Sequence, residues 1–348
     1  MIDKILFAVF GISLLVIVHE FGHYIAARAF GMRVTRFSIG IGPVLAKFQP
    51  KGSDTVFQIS AIPFMAYVMI AGMNPAEEVD PNDPGIYPNK GVLARIVTIF
   101  GGPFANYIAA SIMVFALAIT IGWRELEGPS EPMTVMELSP GSPADKAGIE
   151  VGDVIVQAQG RKIRNVDELI EVTKPRAGKP TTYLIERDGK RLPPMQITPQ
   201  DIKGRGIIGV TPKYDFVYRQ VGVGEGLEMA LTLPFKLTVA NLAGISDLIE
   251  RRTTEGIKGP VGMGKLIAEQ AEKGVFDFVW ILIAISVALG LFNLFPLPAL
   301  DGGRLIFLAY EVITRKRPNE RMEAAIHTLG LLFLFGVILL VTWRDVTS

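Results

Sequence analysis

The chain contains no cysteine, which removes disulfides, thiolate metal sites and thiol catalysis together. It is also short of charge. Only 20% of its 348 residues are charged, 49% are hydrophobic, and the mean hydropathy is +0.37. That is too apolar for an ordinary soluble protein of this length, and it suffices for several membrane spans plus one small soluble domain. The net charge of +1 comes with no basic face or stripe, so no nucleic-acid partner is expected.

What the chain does have is long apolar runs. Four qualify as membrane spans: residues 5–27, a stretch within 92–123, 278–297 and 324–343. Each approaches or exceeds the roughly 20 residues that a bilayer core requires. The first follows Lys4 as a signal peptide would, yet it has about the length of a full span and no small-residue cleavage site. It is expected to be a retained helix. Arg28, Arg33, Arg36, Lys47 and Lys51 follow the first span with no acid before Asp54. Arg304, Arg315, Lys316, Arg317 and Arg321 lie between the third and fourth, against Glu311 and Glu320. Four spans place both basic loops on one side, and the positive-inside rule makes that side cytoplasmic. The termini and everything between the second and third spans then face outward. Residues 227–249 are less apolar, being broken by Glu228, Pro234, Lys236, Asn241 and Asp247. This segment is expected as an amphipathic helix at the outer interface, within a helical region 214–277.

Between residues 128 and 213 the composition turns to that of a small soluble domain. Strands are expected at 133–138, 153–159, 181–186, 195–198 and 206–210, with short helices at 143–147 and 166–172. In the loop between the first two spans, residues 33–70 carry broken alternation on both sides of the turn Lys51-Gly52-Ser53-Asp54. A hairpin follows from this pattern. It dips into the membrane if its backbone is covered, and is otherwise a plain cytoplasmic hairpin.

The chemistry is concentrated inside the first span, where His19-Glu20-Phe21-Gly22-His23 reads HExxH. Residues four apart share a helix face, so His19 and His23 can grip one Zn²⁺ while Glu20 reaches a bound water. Such side chains are costly in hydrocarbon and are retained there for a use. Their bland alternative is hydrogen bonding to neighbouring helices. Catalytic zinc takes three protein ligands; without cysteine the third is His327, Asp or Glu. Asp301 is favoured. It follows Asn293-Leu294-Phe295-Pro296-Leu297-Pro298-Ala299-Leu300 and precedes Gly302-Gly303, a segment too rich in proline and glycine for regular helix and suited to lining a polar cavity.

HExxH in the first span, Asn-x-x-Pro-x-Pro-x-Leu-Asp-Gly near the third, and Ser139-Pro140-Gly141-Ser142-Pro143-Ala144 with Gly152-Asp153-Val154-Ile155 of PDZ type together resemble a bacterial site-2 protease. The resemblance spans essentially the whole chain. It implies a polytopic α-helical membrane protein of four transmembrane helices, with a membrane-associated β-hairpin and an inserted extracytoplasmic PDZ domain that is mainly β. The expected organisation is a first membrane half 1–123, the PDZ domain 128–213, the region 214–277 and a second membrane half 278–348.

By resemblance, His19, His23 and Asp301 ligate zinc, and Glu20 is the general base of an intramembrane endopeptidase in the bacterial cytoplasmic membrane. Its substrates would be single-span proteins in the lipid bilayer, such as anti-sigma factors or signal-peptide remnants. Asn293, Pro296 and Pro298 resemble the substrate-contacting loop. Asn106, within Gly102-Pro103-Phe104-Ala105-Asn106, resembles a further substrate-binding motif near the site, although small-residue helix packing also explains that stretch. The PDZ domain would bind an extended peptide by strand addition, or serve as a packing module. Two rival classes remain: a non-catalytic PDZ scaffold with a structural metal, and a metal transporter.

Overall fold

A computed structural model describes residues 2–74, 77–251 and 258–347. The chain divides into two compact units, one of Met1–Ile121 with Val221–Ser348 and the other Gly122–Gln220.

The first unit opens with helix α1 (Ile2–Ala29), followed by strands β1 (Val34–Phe48) and β2 (Val56–Ile70) and helix α2 (Val92–Thr120). The expected hairpin is present but doubled back. Val34 to Ile39 of β1 pair antiparallel with Ile70 to Ala66 of β2, and Val44 to Phe48 pair with Ser60 to Phe57. Arg36 to Ile39 also contact Val56 to Ile59, so the first half of β1 lies between the two halves of β2. Gly40, at φ +88°, makes the bend: a Cβ there would stand 2.8 Å from the carbonyl oxygens of both Ser60 and Ile62. Only glycine fits that approach. The sheet reaches far along α1, where Ser13 Oγ donates to Pro63 O at 2.7 Å. Ser13 lies about 24 Å along the helix axis from Ala29, so the hairpin runs beside the first apolar helix rather than below it.

The second unit begins with β3 (Trp123–Pro129) and β4 (Val135–Leu138), then α3 (Pro143–Lys146), β5 (Val154–Ala158), β6 (Arg161–Lys162) and α4 (Val166–Thr173). It continues with β7 (Thr181–Arg187), β8 (Lys190–Arg191), β9 (Met195–Ile197), β10 (Gln200–Ile202), β11 (Arg205–Ile207), β12 (Val210–Pro212) and β13 (Tyr214–Arg219). The main sheet has the order β6-β5-β7-β8 with β9 also on β7, while β4 pairs β12, β10 pairs β11 and β3 pairs β13. Alternate residues of these strands point inward, and Met133, Ile155, Tyr183, Ile185 and Ile197 form a closed apolar core. Ser142 and Asn165 cap the two helices by accepting from the amides of Asp145 and Glu168, the interaction that starts short helices. The strand expected over 206–210 is two strands interrupted at Ile208 and Gly209. Residues 214–219, expected in a helical region, form β13, whose partner β3 begins where the second span was expected to end.

The first unit resumes with α5 (Val223–Arg251), α6 (Pro260–Lys273), α7 (Val275–Asn293), α8 (Asp301–Thr314) and α9 (Glu320–Thr347). Among the described residues, five helices are long and apolar enough to cross a membrane: α1, α2, α5, α7 and α9. Helix α5, expected as an amphipathic helix at the outer interface, packs along α2. Gly226 lies against Phe115 and Ile119 near the end of α2, and the hydroxyls of Thr238 and Tyr107 bond at 2.7 Å. Twelve residues of α5 thus match twelve of α2 in the opposite sense. The third span stops at Asn293, and 294–300 is irregular, as the prolines dictate. The basic stretch after it is partly helical, in α8, which the sequence reading did not anticipate.

Candidate metal centre

Helices α1 and α2 cross in van der Waals contact because both carry glycine at the crossing. A Cβ on Gly22 would lie 2.1 Å from Gly101 O, and one on Gly101 would lie 2.6 Å from Gly22 O. This is close packing through small residues, as membrane helices use. It brings Gly102 under the two imidazoles, where a Cβ would stand 2.3 Å from His23 Nε2 and 2.8 Å from His19 Cε1.

The third element is α8. Asp301 occupies its first turn, and Gly302 and Gly303 let that turn press onto the carbonyls of 294, 295 and 297. A Cβ on Gly302 would be 2.1 Å from Phe295 O, and one on Gly303 would be 2.4 Å from Leu297 O. The result is convergence across 282 positions of sequence. His19 Nε2 and His23 Nε2 are 3.2 Å apart, and Asp301 Oδ2 lies 3.1 and 3.3 Å from them. A tetrahedral ion with bonds of about 2.0–2.1 Å holds its ligand atoms roughly 3.3 Å apart. Asp301 Oδ2 is buried and receives no hydrogen bond from the described residues, despite these short contacts. Two nitrogens and an oxygen aimed at one point, with the oxygen otherwise unsatisfied, fit a Zn²⁺ ion. This is the one such His/Asp/Glu cluster among the described residues.

The far sides of the rings are held as ligand histidines require. His23 Nδ1 donates to Thr98 O at 2.8 Å. Asn106 Nδ2 lies 3.1 Å from His19 Nδ1, while Asn106 Oδ1 is buried without a partner. If His19 Nε2 faces a metal, its Nδ1 carries the hydrogen and needs an acceptor. Turning the amide over supplies one and satisfies Oδ1, an assignment made from the network because amide N and O are interchangeable in shape. Ser286 of α7 donates to Asn106 O at 2.9 Å. Asn106 is fully buried and stands behind His19.

Glu20 points to the hairpin, where its Oε2 accepts from Val68 N at 3.0 Å. That N–H faces away from β1, on the outer edge of β2. Of the expected substrate-loop residues, Pro296 is exposed and Asn293 is half-buried, its amide donating to Leu289 O at 3.0 Å. Pro298 packs against α9 at Gly330. His327 stands outside the cluster and accepts from Ala299 N at 3.1 Å. Thr98, Gly22, Gly101 and Ser286 escaped the sequence reading. Only the small-residue run at 101–102 signalled any of them.

The model of Peptidase family M50 matches residues 7–337. A relative from Clostridium perfringens, named as a candidate zinc metalloprotease, is 31% identical over 98% of this chain and 98% of its own length. A similarly named relative from Fusobacterium nucleatum is 30% identical, again over 98% of each chain. Metalloprotease MmpA of Caulobacter vibrioides is 29% identical over 97% of this chain and 93% of its own. Among solved structures, the PDZ domain of an SdrC-like protein from Listeria monocytogenes aligns with 25% of this chain and 93% of that domain. It does so at 21% identity with a TM-score of 0.21. A match of this extent, on a chain with several apolar helices, makes this multi-pass membrane protein a zinc metalloendopeptidase belonging to peptidase family M50.

Proposed function

We propose that the protein cuts single-span membrane proteins within or near their transmembrane helices, with Glu20 as general base and His19, His23 and Asp301 holding Zn²⁺. The observation that carries this reading is the meeting of three ligand atoms at 3.1–3.3 Å, one residue from Glu20 and beside an apolar helix. Zinc, when bound, polarises the scissile carbonyl and makes water a stronger acid. Glu20 takes the proton of the attacking water on its carboxylate and returns it to the leaving amine nitrogen. Val68 N–H holds Oε2, leaving Oε1 for that exchange. The His23–Thr98 bond and the His19–Asn106 pair keep the rings from turning. Gly102 leaves the space in which the rings sit.

A helical substrate must unwind before its carbonyls can be attacked. The hairpin edge offers backbone partners to the extended chain, and Asn293, Pro296 and Pro298 would face it from the other side. The hairpin lies beside α1 as deep as Ser13, which covers Pro63 O and gives that part of the backbone the partner that membrane depth requires.

Four crossings and an outward second unit are supported by chain tracing. Gly262 N donates to Asp345 at 2.7 Å, near the far end of α9, and Gly11, in the half of α1 away from the site, faces Ile267 and Leu282. The chain therefore leaves α2 and re-enters α7 on the same side. On this proposal α5, the one helix between them, would enter without crossing, and the basic loops would share the side nearer the site. We place that side in the cytoplasm of a bacterial inner membrane and the second unit, read as a PDZ domain, outside it. There it would screen or recruit substrates such as anti-sigma factors or signal-peptide remnants in regulated proteolysis.

The test is Glu20→Gln purified in detergent and offered a reconstituted single-span substrate. Zinc content should match that of the unaltered protein while cleavage falls by about 10²–10⁴-fold, the worth of a general base. Undiminished turnover would end this reading.

A further inference from the structure

His327 is one of only three histidines, and it lies outside the metal cluster. It stands on α9 where that helix meets the irregular segment before Asp301. Its Nδ1 accepts the backbone N–H of Ala299 at 3.1 Å. Ala299 has φ +74°, in the left-handed region, and is two residues before Asp301. A residue with a Cβ keeps such a conformation only where its surroundings impose it.

Those surroundings belong to one face of α9. Gly330, one turn after His327, is pressed onto Pro298, so that a Cβ there would lie 2.2 Å from Pro298 Cβ. On the other side the imidazole sits over Gly303, where a Cβ would be 3.2 Å from His327 Cε1, and its ring centroid is 5.7 Å from that of Phe307. Accepting at Nδ1 also sets the tautomer, with the hydrogen on Nε2. That nitrogen is buried and has no partner among the described residues, and His327 lines a cavity of about 670 Å³ together with Tyr87, Arg304 and Glu311.

We propose that His327 is a positioning residue for the metal centre: by holding Ala299 in its left-handed turn, it aims the Asp301 carboxylate at the two histidines. It touches neither substrate nor metal. The proposal rests on Asp301 being a zinc ligand, and the experiment separates the two claims.

Zinc affinity is measured by chelator competition on the full-length protein in detergent, so the readout is binding and not turnover. His327→Leu keeps the side-chain volume but removes the acceptor, and should weaken zinc binding about 10-fold or more, as loss of an outer-shell partner does. His327→Asn places an amide oxygen where Nδ1 stood and should stay within about threefold of the unaltered protein. Adding Ala299→Gly to His327→Leu should recover much of the loss, because glycine enters the left-handed turn without a partner to hold it. If His327→Leu does not fold by its thermal melt, His327→Ala replaces it in the same series. Unchanged affinity in the acceptor-less variant, or equal losses in the Asn and Leu variants, overturns the proposal. Asp301→Ala is the separating control. If it binds zinc normally the ligand assignment fails. If it loses zinc while His327→Leu keeps it, only the positioning role fails.

Discussion

In the membrane unit the buried positions around the site include the polar His19, His23, Thr98, Asn106 and Ser286, and the exposed ones include Phe100, Phe104, Leu331 and Phe333. In the Gly122–Gln220 unit the buried positions are Met133, Ile155, Tyr183, Ile185 and Ile197, while lysines and glutamates face outward. The inversion follows from the solvent. Lipid is as apolar as leucine, so apolar contact gives membrane helices little reason to meet. Close glycine crossings and internal hydrogen bonds hold them instead. Water drives the second unit to hide its hydrocarbon. A single methyl group should therefore have opposite consequences in the two places.

The largest expected effect comes from adding one. Gly102→Ala would put a methyl on the imidazoles, and zinc affinity and peptidase activity should both fall by about 10²-fold, with the second unit untouched. Metal analysis and hydrogen exchange of that unit check both halves, and a variant that retains zinc breaks the comparison. Removing methyls from the soluble core is the converse. Ile155→Ala should destabilise the second unit by about 2–5 kcal/mol, read as faster exchange of its strand amides, with zinc content unchanged.

Electrostatics separates the units next. Asp153 is 1% exposed, and burial alone would raise its pKa. Two hydrogen bonds from Arg187 and one from the Glu150 amide outweigh that, and hold its carboxyl below the usual aspartate value. The stability it contributes is present above the ordinary aspartate range and is lost as pH falls through the depressed folded value. Unfolding of the second unit measured from neutral pH into that acid range should show this loss, and Asp153→Asn should flatten it. Smallest is Ser286→Ala, which removes one hydrogen bond to Asn106 O, worth about 1 kcal/mol. It should lower zinc affinity only severalfold. A loss as large as that of Gly102→Ala would mean that α7, not the α1–α2 crossing, organises the centre.

Much of this was legible in the residues. HExxH needs only helical periodicity to place His19 and His23 together, and the prolines at 296 and 298 announce an irregular approach to Asp301. That Asn106 stands behind His19 was not legible, because its spacing from Gly102 says nothing about which way it faces. β13 was missed because Tyr214–Arg219 is a strand only through its pairing with β3, ninety residues earlier. The charges of α5 suggested an interfacial helix but could not show that it packs along α2.

By itself, then, the sequence determined the apolar helices, the histidine pair four residues apart, the hairpin and the inserted second unit, since each depends on neighbours within a few residues. Tertiary structure alone decided that Asp301 reaches the histidines, that Asn106 backs His19, that Val68 meets Glu20 and that His327 holds Ala299. Those contacts join residues 28 to 282 positions apart, and no local pattern encodes a distance that only the packing of helices can close.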